Sequence, residues 1–225
     1  MVWTVPFLSD VGGECNPGPW ALVILNQSFS RELLDRVWPF CSWRACADGG
    51  ANYLYDVVGE NFTATYLPDL VKGDLDSIRP EVREFYASMG VTVVEDTDQD
   101  STDLMKCVES ISKLEEINPG VNYNVIILGG LSGRLDQTIH VLSFLHKERN
   151  RRLYTMVVTD DSLAWILNPG SHTIVLDTKR LGPTCGLLPV GVERAILSTS
   201  GLEWNLDNAE SSFEGLMSTS NHVVQ

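Results

Sequence analysis

Positive charge is scarce in this sequence. It contains 16 Lys and Arg against 30 Asp and Glu, a formal net charge of −14 at pH 7. Such a balance disfavours nucleic acid or an anionic membrane as the main partner and favours small molecules. The apolar runs are far too short for a membrane span, and residues 1–10 lack the basic segment of a signal peptide. We therefore expect a soluble, cytoplasmic protein without membrane or nucleic-acid partners.

Cysteine is also sparse. The five cysteines are an odd number and form no C-x-x-C pair. Neither a disulfide framework nor a zinc site is indicated, so reduced structural thiols are expected. The four histidines show no metal-ligand spacing either.

The pattern of apolar residues divides the 225 residues into three parts. Residues 1–19 lack periodicity and are predicted to form a leader arm. Strand and helix patterns alternate over residues 20–158, which predicts an α/β domain with a doubly wound, mostly parallel sheet. The helical period disappears in residues 159–225. There, a hairpin (162–167 with 172–176) and further short strands predict a small all-β domain.

Four motifs rich in Asp and Gly each follow an apolar run. They are residues 47–50, 73–77, 96–103 and 129–137. In an open α/β sheet, the carboxyl ends of the strands share one edge, where ligands bind. Clustered carboxylates repel one another unless a divalent cation lies among them, and oxygen ligands favour Mg²⁺ or Ca²⁺. The motifs therefore predict a Mg²⁺-dependent site for phosphate chemistry.

Each motif also has a competing interpretation. An EF-hand loop starting at Asp96 is excluded because Ser101 and Cys107 stand where Gly and Glu are required. Asp74 and Asp76 also have the spacing of the nucleophile pair of a haloacid-dehalogenase-type phosphatase, which stays an alternative.

Two further motifs have structural alternatives. The glycine loop at 129–133 fits neither dinucleotide-binding nor P-loop spacing, although its N–H groups and Arg134 suit an anion at a helix N-terminus. Asp100 and Asp103 also suit helix capping. Lys106 reads as an ordinary i,i+3 ion partner of Asp103 and is left outside the predicted site.

Six motifs, in order along the chain, resemble the thiamine pyrophosphokinases of animals and fungi. They are residues 47–52, 73–83, 98–103, 128–137, 201–206 and 218–221. The resemblance implies an N-terminal α/β nucleotide domain, a C-terminal β-sandwich and a homodimer with thiamine bound where the subunits meet. It also implies transfer of pyrophosphate from the co-substrate ATP to the thiamine hydroxyl, with Mg²⁺, giving thiamine diphosphate and AMP.

The resemblance assigns roles residue by residue. The acidic metal and catalytic positions are Asp74, Asp76 and Asp103. The nucleotide-side positions are Asp48, Gly49, Gly129, Gly130, Arg134 and Asp136. Asp103 or Asp136 is the catalytic carboxylate expected to accept the hydroxyl proton. The positions beside thiamine are Gln99 and Thr102, with Trp204 and Ser218 supplied by the partner subunit. An indole face suits a cationic ring.

The sequence departs from the family pattern after residue 221. The family continues with further β-strand sequence, whereas this sequence stops at residue 225. We therefore expect an incomplete β-sandwich. An alternative function follows, namely a truncated, inactive or regulatory chain that dimerises with a full-length subunit.

Overall fold

The computed structural model describes residues 1–8, 18–59 and 64–224. The chain forms two compact units. One comprises Glu14–Gly170 and the other combines Met1–Gly13 with Ser171–Gln225. They are called the α/β unit and the β unit below. Residues 9–17 of the predicted leader arm, including Cys15, lie outside the described residues.

The secondary structure alternates as predicted through the α/β unit. In chain order the strands are β1 (Val2–Thr4), β2 (Trp20–Ile24), β3 (Trp43–Ala47), β4 (Leu70–Gly73), β5 (Thr92–Glu95), β6 (Asn124–Leu128), β7 (Thr155–Val158), β8 (Leu163–Ala164), β9 (Thr173–Val175), β10 (Thr184–Leu187), β11 (Arg194–Leu197), β12 (Ala209–Ser212) and β13 (Ser218–His222). The α-helices are α1 (Arg31–Val37), α2 (Gly50–Val58), α3 (Pro80–Ser88), α4 (Asp103–Ile117) and α5 (Leu135–Glu148). Short 3₁₀ helices cover Pro6–Leu8 and Ala64–Tyr66.

A seven-stranded sheet organises the α/β unit, in the order β5-β4-β3-β2-β6-β7-β8. All neighbouring pairs are parallel except the last, in which β8 runs antiparallel to β7. Every residue of the central strands β2 and β6 is buried. Apart from Asn124 at the start of β6, their residues are all apolar, which is typical of parallel strands covered on both faces. The predicted doubly wound, mostly parallel fold is confirmed.

The strand order reverses at β2, which lies between β3 and β6. From β2 the chain builds outward through β3, β4 and β5, and then returns to place β6 on the other side. In open α/β sheets, such a switch point opens a crevice at the carboxyl ends of the strands. The predicted Asp and Gly motifs follow β3, β4, β5 and β6, so the topology gathers them at this edge.

Helix α4 fixes one of these motifs against the sheet. Its N-cap is Thr102, which has extended backbone geometry (φ −75°, ψ 160°). The buried stripe consists of Leu104, Cys107, Val108 and Ile111, and it packs in the same core as the central strands. Asp103, as the first helical residue, is thereby held at the sheet edge, where a carboxylate also interacts favourably with the helix dipole.

In the described part of the β unit, the strands form three pairs: β1 with β9, β10 with β13, and β11 with β12. The last two pairs are antiparallel, and β1 runs parallel to β9. The predicted small all-β domain at the C-terminal end is confirmed.

Two predictions about these segments need correction. Residues 1–8 are not a loose arm, because β1 pairs with β9 and the apolar alternation of Trp3, Val5 and Phe7 is buried. The predicted hairpin at 162–176 is wrong as well. Its strands exist, but β8 pairs with β7, so the boundary between units falls after Gly170 rather than at residue 158.

No helix in the described part of the chain is long and apolar enough to cross a membrane.

Candidate functional site

Three carboxylates meet at the edge of the sheet. Asp48 follows β3, Asp74 follows β4, and Asp103 begins α4. One carboxylate oxygen from each of the three lies within 4.8 Å of the others. A compact set of charged oxygen ligands is the arrangement that suits a hard divalent cation such as Mg²⁺. We call Asp48, Asp74 and Asp103 the carboxylate cluster.

Gly73 permits this close approach. A Cβ atom added at this position would lie 2.7 Å from the Cβ of Asp48 and 2.9 Å from the Cγ of Asp103. Both distances are shorter than van der Waals contact, and the first involves an atom fixed to the backbone. The last residue of β4 must therefore be glycine for Asp48 and Asp103 to occupy their present positions.

Asp48 is the most constrained member of the carboxylate cluster. Its backbone is in the left-handed region (φ 42°) and the residue is 3 % exposed. Its two carboxylate oxygens accept hydrogen bonds from the backbone N–H groups of Ser77 (3.0 Å) and Ile78 (3.1 Å). Burial raises the pKa of Asp48, and the Asp103 charge adds to this rise although the backbone donors oppose it. A nearby cation would remove this penalty on the ionised form.

Asp76 lies outside the carboxylate cluster, although the resemblance groups it with Asp74 and Asp103 at the metal position. Among the described residues, the carboxylate cluster contains Asp48 rather than Asp76. Asp76 is exposed, and its Oδ1 accepts a hydrogen bond from Ser77 Oγ at 2.8 Å. Between the two acids, Leu75 has a positive φ of 61° and is buried. This strained backbone shapes the turn that separates Asp74 from Asp76.

Two buried lysines accompany the acids. The predicted i,i+3 pairing of Lys106 with Asp103 is confirmed, whereas no sequence pattern indicates Lys72. Lys106 Nζ donates to Asp103 Oδ1 at 3.1 Å. Burial alone would lower the pKa of Lys106, but the hydrogen bond and charge of Asp103 outweigh it, so the pKa is raised. The other lysine, Lys72 in β4, has its Nζ 3.1 Å from Asp96 Oδ2. The spacing of Asp103 and Lys106 was visible in the sequence, but it also occurs on exposed helix faces.

The glycine loop after β6 is fixed by Gln27, which follows β2. Gln27 Oε1 accepts hydrogen bonds from the N–H of Gly130 (2.7 Å) and from Ser132 Oγ (2.9 Å), and its Nε2 donates to the Ser132 carbonyl (2.6 Å). The Gly130 N–H, one of the groups predicted to face an anion, is thus already used. Only the position of Gln27 beside the switch point could have indicated this role.

Arg134 and Asp136 pair with each other at the start of α5. Arg134 Nη2 lies 2.6 Å from Asp136 Oδ2, and both side chains are exposed. The Arg134 guanidinium lowers the pKa of Asp136. A carboxylate with a lowered pKa is a weaker proton acceptor, which disfavours Asp136 as a general base.

Thr102 and Gln99 lie in the loop between β5 and α4, the helix that begins at Asp103. Thr102 Oγ1 and His140 Nε2 are 2.9 Å apart. Burial lowers the pKa of His140, so its ring is neutral near pH 7. Gln99 is exposed and its Nε2 donates to the Thr97 carbonyl. His140, which shows no ligand spacing in the sequence, is thus the partner of a predicted thiamine residue.

Trp204 and Ser218 belong to the β unit. The Trp204 indole is 56 % exposed, with its centroid 5.8 Å from that of the His222 ring. Ser218 is buried at the start of β13.

Family models match both units of the chain. The model described as "Thiamin pyrophosphokinase, catalytic domain" matches residues 34–157. The model described as "Thiamin pyrophosphokinase, vitamin B1 binding domain" matches residues 171–225. The second match starts at Ser171, the first residue of the C-terminal segment of the β unit.

Two plant proteins illustrate the sequence similarity. Thiamine pyrophosphokinase 3 of Oryza sativa subsp. japonica is 43 % identical, over 91 % of this chain and 79 % of the relative. Thiamine pyrophosphokinase 1 of Arabidopsis thaliana is 40 % identical, over 100 % of this chain and 87 % of the relative.

Two solved structures show the same fold. Yeast thiamin pyrophosphokinase aligns with a TM-score of 0.86 at 28 % identity, covering 99 % of this chain and 84 % of that one. The enzyme of that name from Candida albicans aligns with a TM-score of 0.81 at 26 % identity, covering 90 % and 82 %.

The geometry predicts that Gly73→Ala weakens cation binding. The added Cβ must displace Asp48 or Asp103, so we expect affinity for Mn²⁺, used in place of Mg²⁺, to fall roughly tenfold, equivalent to about 1.4 kcal/mol. Titration calorimetry measures it. Gly182→Ala is the matched control, since its Cβ would meet nothing within 4 Å. Equal Mn²⁺ affinity in the two variants would show that the close approach at Gly73 has no part in binding.

Proposed function

This chain belongs to the thiamine pyrophosphokinase family, and we propose that it transfers the pyrophosphoryl group of ATP to the hydroxyl of thiamine. The observation that carries the proposal is the carboxylate cluster at the switch point of the sheet, within the span of the catalytic family model. The products are thiamine diphosphate and AMP. The comparisons favour neither the phosphatase nor an inactive or regulatory chain.

Mg²⁺ is the proposed cofactor. Asp48, Asp74 and Asp103 supply a set of oxygen ligands that suits this ion, and the raised pKa of buried Asp48 fits a site where a cation offsets negative charge. Asp76, adjacent in the same loop, is proposed as a further ligand because six-coordinate Mg²⁺ accepts more than three oxygens. When bound, Mg²⁺ would neutralise charge on the phosphate oxygens.

The chain's own residues position the reactants. The thiamine oxygen forms a bond to the β-phosphorus of ATP while the bond from that phosphorus to the α-phosphate bridging oxygen breaks, and AMP leaves with that oxygen. Such transfer depends on alignment and charge neutralisation more than on a strong base. We propose that the Arg134 guanidinium binds the nucleotide phosphates and that Gly129, Gly130 and Gly49 lie beside the nucleotide. The two loop glycines would do so through their lack of side chains, since the N–H of Gly129 donates to the Val158 carbonyl and that of Gly130 to Gln27. Of the two carboxylates proposed for the hydroxyl proton, Asp103 is favoured over Asp136, whose pKa is lowered by the Arg134 hydrogen bond.

We further propose that the enzyme acts in the cytoplasm as a homodimer with shared active sites. Gln99 and Thr102 would contact thiamine from one subunit, and Trp204 and Ser218 from its partner. Large exposed apolar side chains support an interface in each unit: Ile139 is 57 % exposed on α5, and Phe213 is 69 % exposed in the β unit. Leu135, 74 % exposed and one turn before Ile139 on α5, extends that position into a contiguous apolar patch, the kind of surface that marks protein contacts.

Product analysis tests the proposed reaction. With ATP, Mg²⁺ and thiamine, we expect AMP and thiamine diphosphate in equal amounts, and no AMP without thiamine, because the acceptor hydroxyl is the nucleophile. Chromatography resolves the products. ADP with thiamine monophosphate would exclude pyrophosphoryl transfer, and phosphate released without thiamine would favour the phosphatase.

Complementation tests the shared site. Asp74→Asn and Trp204→Ala are each expected to lose most activity, because one removes a cation ligand and the other a thiamine contact. Their heterodimer keeps one intact composite site, so purified mixed dimers should regain activity, up to about half per dimer. Homodimers of each variant are the controls. Verified heterodimers without recovery would contradict a site shared between subunits.

A further inference from the structure

Asn221 links the two β-unit residues assigned to thiamine. It lies in β13 and is 2 % exposed. Its Oδ1 accepts hydrogen bonds from the N–H of Trp204 (3.1 Å) and of His222 (2.9 Å). Its Nδ2 donates to the carbonyl of Trp204 (2.8 Å) and to Ser218 Oγ (3.4 Å). One side chain therefore contacts Trp204 twice and Ser218 once.

The chemistry of these contacts requires an amide. A carboxamide has two acceptor positions and two donor hydrogens, and all four are used here. An aspartate of the same shape would keep the two acceptor contacts. It would lose both donors and place a buried negative charge against the Trp204 carbonyl, which is strongly unfavourable, and the Ser218 hydroxyl would have to turn and donate instead of accept.

The orientation of Trp204 depends on its hydrogen bonds to Asn221, because its ring is largely exposed. With the indole 56 % exposed, side-chain packing alone does little to orient it. The backbone of its segment is instead held against β13 and the residue that follows it. Besides the two bonds to Asn221, Glu203 N–H donates to the His222 carbonyl (2.8 Å), and Leu202 forms a bridge with Val223. Of the groups in these contacts, only the Asn221 side chain forms hydrogen bonds with both Trp204 and Ser218.

We propose that Asn221 is a positioning residue for thiamine, which fixes the Trp204 backbone and the Ser218 hydroxyl in one arrangement before thiamine binds. This inference rests on the proposed function. Asn221 itself touches neither substrate nor nucleotide in this account. Its effect on thiamine binding arises through the two residues it holds, so its replacement should leave ATP binding unchanged.

The test uses the 225-residue chain with Asn221→Asp, and exposed Asn208→Asp in the same unit as the matched control. Thiamine and a nonhydrolysable ATP analogue are titrated separately, and KM and kcat are measured. Loss of two buried donors predicts that the Kd and KM for thiamine rise at least about tenfold in Asn221→Asp. The Kd for the ATP analogue and all values of Asn208→Asp should stay within about twofold of the original chain.

Several outcomes would overturn the proposal. Unchanged thiamine affinity in a folded Asn221→Asp variant would do so. Parallel loss of thiamine and ATP affinity would show a general structural role instead. If circular dichroism shows Asn221→Asp unfolded, Asn221→Ala, which introduces no charge, is judged by the same criteria, and its unfolding would likewise assign Asn221 to the fold.

Activity of the unsubstituted chain distinguishes a failure of the proposed function from a failure of the proposal for Asn221. If it forms no thiamine diphosphate, the proposed function fails. The thiamine titrations of the variants would still decide whether Asn221 positions Trp204 and Ser218.

Discussion

The convergence of three carboxylates on a single glycine is the constraint on which the site depends. Two like charges about 4–5 Å apart repel by roughly 3–4 kcal/mol at an effective dielectric constant near 20. The structure nevertheless holds Asp48, Asp74 and Asp103 within 4.8 Å of one another. Gly73 leaves room for them, backbone N–H groups bind Asp48, and the Lys106 ammonium pairs with Asp103. Because the remaining repulsion between the carboxylates falls when a cation lies among them, this arrangement favours cation binding.

The sequence predicts well which motifs lie at the sheet edge, because residues that follow parallel strands meet at one edge of the sheet. Alternating apolar runs identified β2 to β7, and parallel strands bring their carboxyl ends together. Which acid of a loop joins the group was not predictable. The choice of Asp48 over Asp76 depends on backbone conformation, namely the positive φ values of Asp48 and Leu75, which no local pattern encodes.

The remaining differences arise from tertiary hydrogen bonds and strand pairing. Gln27 looks like an ordinary polar residue in the sequence, and Asn221 lies in the motif at 218–221 without an assigned role. Each nevertheless binds groups that are distant along the chain. Short strands carry little pairing information, so the sequence pattern predicts a hairpin of β8 and β9 although each pairs elsewhere. The same reason explains why the sequence pattern does not predict β1 within residues 1–8.

Mn²⁺ titration of the substrate-free protein tests the central claim most directly. The account predicts that Asp48→Asn, Asp74→Asn and Asp103→Asn each weaken Mn²⁺ binding by roughly tenfold or more, since each removes one charged oxygen ligand. Exposed Asp161→Asn should bind Mn²⁺ like the parent chain. If Asp48→Asn and Asp103→Asn bind Mn²⁺ as tightly as Asp161→Asn does, the carboxylate cluster is not a cation site.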